Sequence, residues 1–327
     1  MARQALQTRH GALTYPRLLP FTPVVRRSAD AVQVGLEGGT ALVMLATEPL
    51  ERVLELLDGR HPLPAIHRTA VGLGIASDRV DAWLHYLVDA GLVVDASRPD
   101  PVARPLIGRR IRLIGAGHLA RPVAEGLCDA GIAHLHVCDE SQVDPQLYPT
   151  AGPAATMADG LRSALTQELD GGVHVANHWS KPEHLPIDLT VLAWDAPEPD
   201  RVITDQLMRT DQPDLVLRSL GAGAVVGPLV VPGETACLRC TDLTRRSRDR
   251  DWPLLLNRLS RIAMPPPPLA AAWCGSVAVT QVIAHLQGSP AQTRNATVEI
   301  GAPDYQLRVR SWPQHPGCGC AWQVTAE

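Results

Sequence analysis

The stretch from residue 110 to residue 140 constrains the fold of this chain more than any other part. It reads RIRLIGAGHLARPVAEGLCDAGIAHLHVCDE, a short apolar run, a glycine-rich turn, a helical pattern and a second apolar run. Gly115 and Gly117 permit a tight turn, and the helix after it offers backbone amides to a phosphate. Asp139 closes the second run, where a ribose ligand is expected. A glycine turn that only packs a helix on a sheet has the same pattern, so the motif alone leaves nucleotide binding open.

Further apolar segments extend this unit toward the C-terminus. HVANHW, DLTVLAWD and DLVLRSL are typical of strands, with a helical pattern at residues 199–209 between the last two. A long apolar helix is expected at residues 269–286, followed by a hairpin at 297–312. We therefore predict an α/β domain over residues 108–327, built on a doubly wound, mostly parallel sheet.

The N-terminal part has a different pattern. TPVVRR, AVQVGL and TALVML are typical of short strands, and three amphipathic helical stretches follow them before residue 96. Three strands followed by three helices indicate a small α+β domain of winged-helix type over residues 1–96. The proline-rich stretch 97–107 is the expected linker.

Four of the seven cysteines occur as two close pairs, Cys237-x-x-Cys240 and Cys318-x-Cys320. Two such pairs separated by a long gap are typical of a tetrahedral zinc site with four thiolate ligands, which is closed and structural. His315 lies next to the second pair, as a further ligand or as a cap of the turn. Cys128, Cys138 and Cys274 lie in apolar contexts and are interpreted as core residues.

Composition excludes several classes of function. The formal net charge is −4, which gives no reason to expect nucleic acid as a partner. A DNA-binding role for the N-terminal domain is disfavoured because its third helix, DRVDAWLHYLVDAG, is acidic on balance. No signal peptide and no apolar run of about eighteen residues is present, so we expect a cytoplasmic protein without a membrane segment.

Five motifs, taken in order, resemble the ThiF/MoeB/HesA family, bacterial relatives of ubiquitin-activating enzymes. They are LIGAGHLA, HLHVCDESQVD, LTVLAWDAPEPD, VVGPLVVPGETACLRCTDL and HPGCGCA, within residues 108–322. The resemblance implies ATP-dependent adenylation of the C-terminus of a small protein, and a homodimer. It implies that Gly115, Gly117 and Asp139 are nucleotide-binding positions and that Asp195 helps to hold magnesium.

Several family residues are missing here. The segment with the family's phosphate-contacting Asn and Arg reads DPQLYPT, and the next helix lacks the family's lysine. The only lysine of the chain, Lys181, falls beyond that helix. A triphosphate requires several fixed positive or polar contacts, so we expect a degenerate site that does not use ATP. The alternative is an active adenylyltransferase in which Arg109, Arg121 or Arg162 replaces the missing contacts.

Over its full length the chain resembles the leader-peptide-binding partner proteins of azoline-forming cyclodehydratases, which act on ribosomal peptide natural products. In that group a PqqD-like recognition domain precedes a degenerate ThiF-like domain, and a separate YcaO-type protein performs the ring formation. The resemblance implies that the leader of the precursor peptide adds as a strand to the third strand and lies against the third helix. The matching positions here are Thr40, Leu42, Val43, Leu45, Trp83 and Leu87. Trp83 and Leu87 are equally compatible with the domain's own core. The arginine-rich stretch from residue 244 to residue 262 is either a solvated helix or a docking surface.

Overall fold

A computed structural model describes residues 13–20, 22–36, 42–45, 48–97, 106–132, 134–165, 173–175, 179 and 186–321. The chain divides into two compact units, Met1–Ala103 and Arg104–Glu327. Most of the predicted linker lies outside the described residues.

The first unit contains five short strands and three helices. Its elements are β1 (Pro16–Leu18), β2 (Val24–Ser28), β3 (Ala31–Val34), β4 (Leu42–Leu45), α1 (Glu48–Glu55), α2 (Leu63–Gly72), α3 (Ser77–Asp89) and β5 (Val93–Asp95).

The three central strands of the first unit form an antiparallel sheet in the order β2-β3-β4, so β4 is an edge strand among the residues that the structure describes. Val32 and Val34 of β3 are buried against the helices, where Leu50, Ile66 and Leu84 are also fully buried. Strands β1 and β5 form a separate antiparallel ribbon that the sequence did not predict. These small antiparallel sheets are compatible with a domain that precedes the α/β unit.

The second unit carries the large sheet. Its elements are β6 (Arg110–Ile114), α4 (Ala120–Asp129), β7 (His134–Cys138), α5 (Met157–Leu165), β8 (Val173–Val175), β9 (Leu189–Ala193), α6 (Arg201–Arg209), β10 (Asp214–Ser219), β11 (Gly223–Val230), α7 (Leu238–Arg248), α8 (Trp252–Leu259), α9 (Pro268–Leu286), β12 (Ala296–Gly301) and β13 (Arg308–Ser311).

The sheet has eight strands in the order β13-β12-β11-β10-β9-β6-β7-β8. Strands β6 to β10 are parallel, and β11, β12 and β13 continue the sheet in antiparallel pairings. Buried residues of α4, α5 and α9 form one core with one face of the sheet, and residues of α6 pack on the other face. This mostly parallel sheet between helices confirms the predicted fold class.

Helix α9 is long enough and apolar enough to cross a membrane by length and composition. It is nevertheless a core helix, because it packs on α4, β10 and β11. Ala270, Cys274, Ala278 and Val282 recur at every fourth position and are fully buried. Cys128, Cys138 and Cys274 are all buried, as predicted.

Candidate functional site

A groove in the first unit lies between the edge strand β4 and helix α3. The cavity has a volume of about 710 Å³. Its lining residues are Val43, Met44, Pro49, Leu73, Gly74, Ile75, Ala76, Arg79, Trp83 and Tyr86. Val43 is 55% exposed and Tyr86 is 63% exposed, so the groove presents apolar surface to solvent. Among the described lining residues, Arg79 alone carries a charged side chain.

The hydrogen-bonding groups of Val43 point away from the sheet. The amide of Gly35 donates to the carbonyl of Pro23 in the preceding strand region. In an antiparallel pair the N–H and C=O groups of successive residues face opposite sides, so those of Gln33, two residues before Gly35, also face β2. Val43 of β4 lies opposite Gln33. Because the N–H and C=O of Gln33 face β2, Gln33 and Val43 form a non-hydrogen-bonded pair. The N–H and C=O of Val43 consequently face the open edge of the sheet.

Only some of the predicted peptide-binding residues line the groove. Val43 and Trp83 line the groove, whereas Leu87 is 1% exposed and belongs to the core of the first unit. Thr40 and the side chains of Leu42 and Leu45 lie outside the described residues. Tyr86 and Arg79 line the groove and were missed; both lie on the exposed face of α3, at spacings of three and four residues from Trp83.

The glycine turn after β6 is occupied by a carboxylate of the chain itself. Asp195 follows β9, and its side chain accepts hydrogen bonds from the amides of His118 (2.7 Å) and Leu119 (2.9 Å). The ring Nδ1 of His118 lies 2.9 Å from the same carboxylate. A side chain at Gly117 would overlap the Asp195 carboxylate. The amides that a phosphate would use therefore already bind an anion.

The second acid of the motif is engaged in the same way. Asp139 accepts hydrogen bonds from the amide of Ala116 (2.9 Å) and from the amide of Ser141 (3.1 Å). The hydroxyl of Tyr148 donates to the Ala116 carbonyl at 2.8 Å, and burial raises the pKa of this phenol. Tyr148 belongs to the segment DPQLYPT, so this segment stabilises the glycine turn through its hydrogen bond to Ala116.

The cavity beside the glycine turn has a volume of about 380 Å³ and an acidic wall. Four carboxylates line it, and Arg261 is the one cation among the lining residues that the structure describes. The acidic lining residues are Asp139, Asp195, Glu198 and Asp200. Glu198 pairs with three arginines. The other three carboxylates make this wall negative, which disfavours a triphosphate without a bound cation.

None of the three arginines invoked for an active adenylyltransferase lines this cavity. Arg109 precedes β6, at the end of the strand opposite the glycine turn, and pairs with Asp188 at 3.3 Å. Arg121 pairs with Glu125 at 2.9 Å and donates to the carbonyl of Leu147. Arg162 lies on α5 and pairs with Asp159.

A buried ion-pair network adjoins the cavity. Glu198 is 3% exposed and contacts Arg218 (2.6 Å), Arg245 (2.7 Å) and Arg201 (2.8 Å). Burial alone would raise the pKa of Glu198, but the charges of Arg218, Arg245 and Arg201 lower it to about 2. Asp242 binds Arg201 through both carboxylate oxygens. The network thus joins the loop after β9, strand β10 and helix α7.

The four paired cysteines lie together in the second unit. All four Sγ atoms are within 4.8 Å of one another, and all four residues are buried. Cys237 precedes α7 and Cys240 lies in its first turn, while Cys318 and Cys320 lie in the turn after β13. The Cys237–Cys318 and Cys240–Cys320 sulfur distances are 3.5 and 3.3 Å. We call these four residues the cysteine cluster.

The donor set of the cysteine cluster fits zinc. A tetrahedral site with Zn–S bonds of about 2.3 Å places sulfurs about 3.8 Å apart, close to the observed spacing. The backbone amide of His315 donates to the Cys240 sulfur at 3.2 Å. The His315 ring instead accepts from the amide of Gly317, so it caps the turn and is not part of the cluster. Four thiolates leave no open position for a substrate, so a metal held here is structural.

Three solved structures resemble the chain over most of its length. MccB from E. coli with ATP has a TM-score of 0.66 at 17% identity, covering 94% of this chain and 99% of that one. The microcin C7 biosynthetic enzyme MccB in complex with N-formylated MccA has a TM-score of 0.67 at 15% identity, covering 93% and 99%. A heterocyclase in complex with substrate and cofactor has a TM-score of 0.61 at 16% identity. The match covers 94% of this chain but only 40% of that heterocyclase.

No family model and no curated protein sequence matches the chain. The similarity to solved structures at these low identities shows the fold, which is ThiF-like.

Proposed function

We propose that this chain binds the leader of a ribosomal precursor peptide and presents the peptide to a separate YcaO-type cyclodehydratase. The observation that carries the proposal is the outward-facing backbone of Val43 beside the apolar groove. An added peptide strand gains affinity from main-chain hydrogen bonds and specificity from side-chain pockets, and this edge offers both. The bound leader pairs with β4 and places alternate side chains against Trp83 and Tyr86.

The similar structures support a role of this kind. MccB is named as a microcin biosynthetic enzyme and was solved with N-formylated MccA, and the heterocyclase was solved with its substrate. A microcin biosynthetic enzyme and a heterocyclase thus share this fold. We expect the glycine-turn cavity of this chain to take no part in catalysis, because the amides of the turn bind Asp139 and Asp195.

A second candidate function is ATP-dependent adenylation, favoured by the similarity to MccB solved with ATP. This reaction needs the amides of the glycine turn and a positively charged surface. Here Asp195 occupies those amides and four carboxylates line the cavity. An ATP–pyrophosphate exchange assay distinguishes the two: we expect no exchange, whereas robust exchange that is lost in Asp195→Ala establishes adenylation.

The experiment that tests leader binding is a fluorescence-polarisation titration of a labelled leader with Val43→Pro. The substitution deletes one outward donor and places a ring at the edge, without removing a hydrogen bond to β3. One lost hydrogen bond is worth about 1 kcal/mol, so we expect affinity to fall at least about fivefold. Circular dichroism first establishes that the variant is folded.

The matched control is Val24→Pro on the opposite edge strand. Val24 lies opposite Val34, whose backbone groups face β4, so the Val24 amide also faces outward. Leader affinity is expected to be unchanged in this control. Equal affinity of folded Val43→Pro and wild-type protein contradicts strand addition at β4.

We further propose that the chain is a homodimer that holds one zinc ion per chain in the cysteine cluster. Light scattering at micromolar concentration tests the dimer, and a monomeric mass contradicts it. Elemental analysis tests the metal, and zinc-free purified protein contradicts it.

A further inference from the structure

Helix α8 and the residues just after it expose a row of leucine, isoleucine and arginine side chains. α8 contains no buried residue. Leu254 is 67% exposed, Leu255 is 40% exposed and Ile262 is 42% exposed. Arg258 lies one turn after Leu254 in α8 and is exposed. Arg261 and Ile262 follow the end of the helix, are exposed, and also line the glycine-turn cavity. We call Leu254, Leu255, Arg258, Arg261 and Ile262 the α8 patch.

Helix α8 is held in position by contacts with the buried ion-pair network. Trp252, the first residue of α8, donates from its indole to Asp242 at 3.0 Å. The guanidinium of Arg245 lies 4.6 Å from the Trp252 ring and is bound to buried Glu198. An eight-residue helix is marginal by itself in water, so α8 depends on these contacts for its position. The buried network therefore holds a helix on which Leu254 and Leu255 remain largely exposed, while Leu256 and Leu259 are half-buried.

The surroundings of the patch are strongly basic. Five exposed arginines lie between residues 246 and 261, against two aspartates, Asp249 and Asp251. The arginines are Arg246, Arg248, Arg250, Arg258 and Arg261. Within the described residues, none of the five makes an ion pair. The charge of this segment is thus opposite in sign to that of the chain as a whole, which carries a formal net charge of −4.

The exposed apolar side chains and the surrounding arginines indicate what kind of partner the patch binds. An exposed apolar patch rimmed by charge is typical of a protein interaction site, and arginine is enriched at the energetic centre of such sites. Charge complementarity requires acidic side chains opposite the arginines. A second copy of the chain is disfavoured, because a two-fold contact at this patch places arginine-rich surfaces against each other.

We propose that the α8 patch docks a protein partner that presents an acidic surface around an apolar cleft, and that this partner is the cyclising enzyme of the proposed function. The assignment rests on that function. Leu254 and Leu255 enter the cleft, and Arg258 and Arg261 pair with the acidic rim. The first unit holds the leader while the patch holds the enzyme, so the two binding events use different residues of the chain.

The test measures binding of a purified YcaO-type cyclodehydratase from the same organism by biolayer interferometry. The variants are Leu254→Ser and the double charge reversal Arg258→Glu/Arg261→Glu. Arg308→Glu is the control for a charge reversal elsewhere on the surface, because Arg308 is exposed on β13, where it pairs with Asp304 at 3.3 Å. We expect at least tenfold weaker binding for Leu254→Ser and about a hundredfold for the double reversal, with no change for the control. Raising the salt concentration weakens binding of the wild type, because charge pairs are screened.

Leader titration of the same variants separates this proposal from the proposed function. Unchanged leader affinity together with lost enzyme binding supports the docking role. If the wild type and the double reversal bind the enzyme equally well, the docking role of the α8 patch is wrong, while the proposal of leader binding is unaffected. Absence of enzyme binding by the wild type also overturns the docking role. If light scattering shows that Leu254→Ser converts a dimer to a monomer, the patch is a self-interface and the proposal is wrong.

Discussion

Replacing Asp195 with alanine removes the anion that satisfies the glycine turn. The carboxylate accepts two backbone hydrogen bonds at the start of α4 and is only 16% exposed. Its loss leaves two poorly solvated amides without an acceptor and removes a negative charge from a helix N-terminus. An unsatisfied buried group costs about 1–3 kcal/mol, and the helix dipole adds about 0.5 kcal/mol. Water partly replaces the carboxylate, so we expect the free energy of unfolding to fall by about 2–4 kcal/mol.

The matched control for this prediction is Asp200→Ala. Asp200 also lines the cavity, but it is exposed and accepts a single amide hydrogen bond, from Val202 at 2.8 Å. Loss of such an N-cap costs about 1 kcal/mol. At about 2–4 °C per kcal/mol, Asp195→Ala lowers the melting temperature by about 4–16 °C, and the control by about 2–4 °C.

The assay is thermal unfolding followed by tryptophan fluorescence, with hydrogen exchange as a local readout. In Asp195→Ala the amides of His118 and Leu119 should exchange faster than in the wild type. A melting temperature no lower than that of Asp200→Ala, with unchanged exchange at both amides, refutes the reasoning. The carboxylate would then not be the group that satisfies the turn.

Three further predictions concern other parts of the molecule. Replacing any one residue of the cysteine cluster with serine, or treating the protein with a strong chelator, should lower thermal stability without affecting a catalytic step, as measured by calorimetry. In the folded protein the pKa of Glu198 is depressed to about 2, so its ion pairs add stability that is complete above about pH 4.5 and is lost as the pH falls toward 2. The difference in unfolding free energy between the wild type and Glu198→Gln should therefore shrink on acidification. A difference that stays constant with pH contradicts the ion-pair account. Trp83→Ala should weaken leader binding about tenfold in a titration, whereas Tyr15→Ala, a change of an aromatic residue that does not line the groove, should leave it unchanged.

Local sequence patterns predict much of this fold. The run from residue 110 to residue 140 carries its own periodicity, turn and helix, and it forms β6, α4 and β7 as expected. The cysteine pairs were interpreted as one cluster because close pairs point at a common centre, and their sulfurs do meet. In both cases the information lies within a few residues of the feature that it determines.

Pairing between distant segments could not be predicted in this way. Strands β1 and β5 have three residues each and no alternation of their own, and Asp95 of β5 accepts hydrogen bonds from the amides of Thr14 and Tyr15. β11 contains Pro228, and proline normally argues against a central strand. The structure accommodates it because the pairing with β12 ends at Val226 and the register with β10 shifts nearby.

The state of the candidate nucleotide site is also set by long-range contacts. Gly115, Gly117, Asp139 and Asp195 occur at positions compatible with nucleotide binding, and the sequence does not reveal that Asp195 turns back onto the glycine turn. The Glu198 network has the same character, since its arginines come from α6, β10 and α7. Helical or strand periodicity identifies a buried face but not the charged partner that it meets.

The central claim is that a leader peptide adds as a strand to β4. Hydrogen exchange measured by NMR, with and without the leader, tests this most directly. The Val43 amide faces solvent in the free protein and donates to the leader in the complex, so its exchange should slow markedly on binding, while that of Val24 on the opposite edge stays the same. Tight leader binding with unchanged exchange at Val43 contradicts the claim.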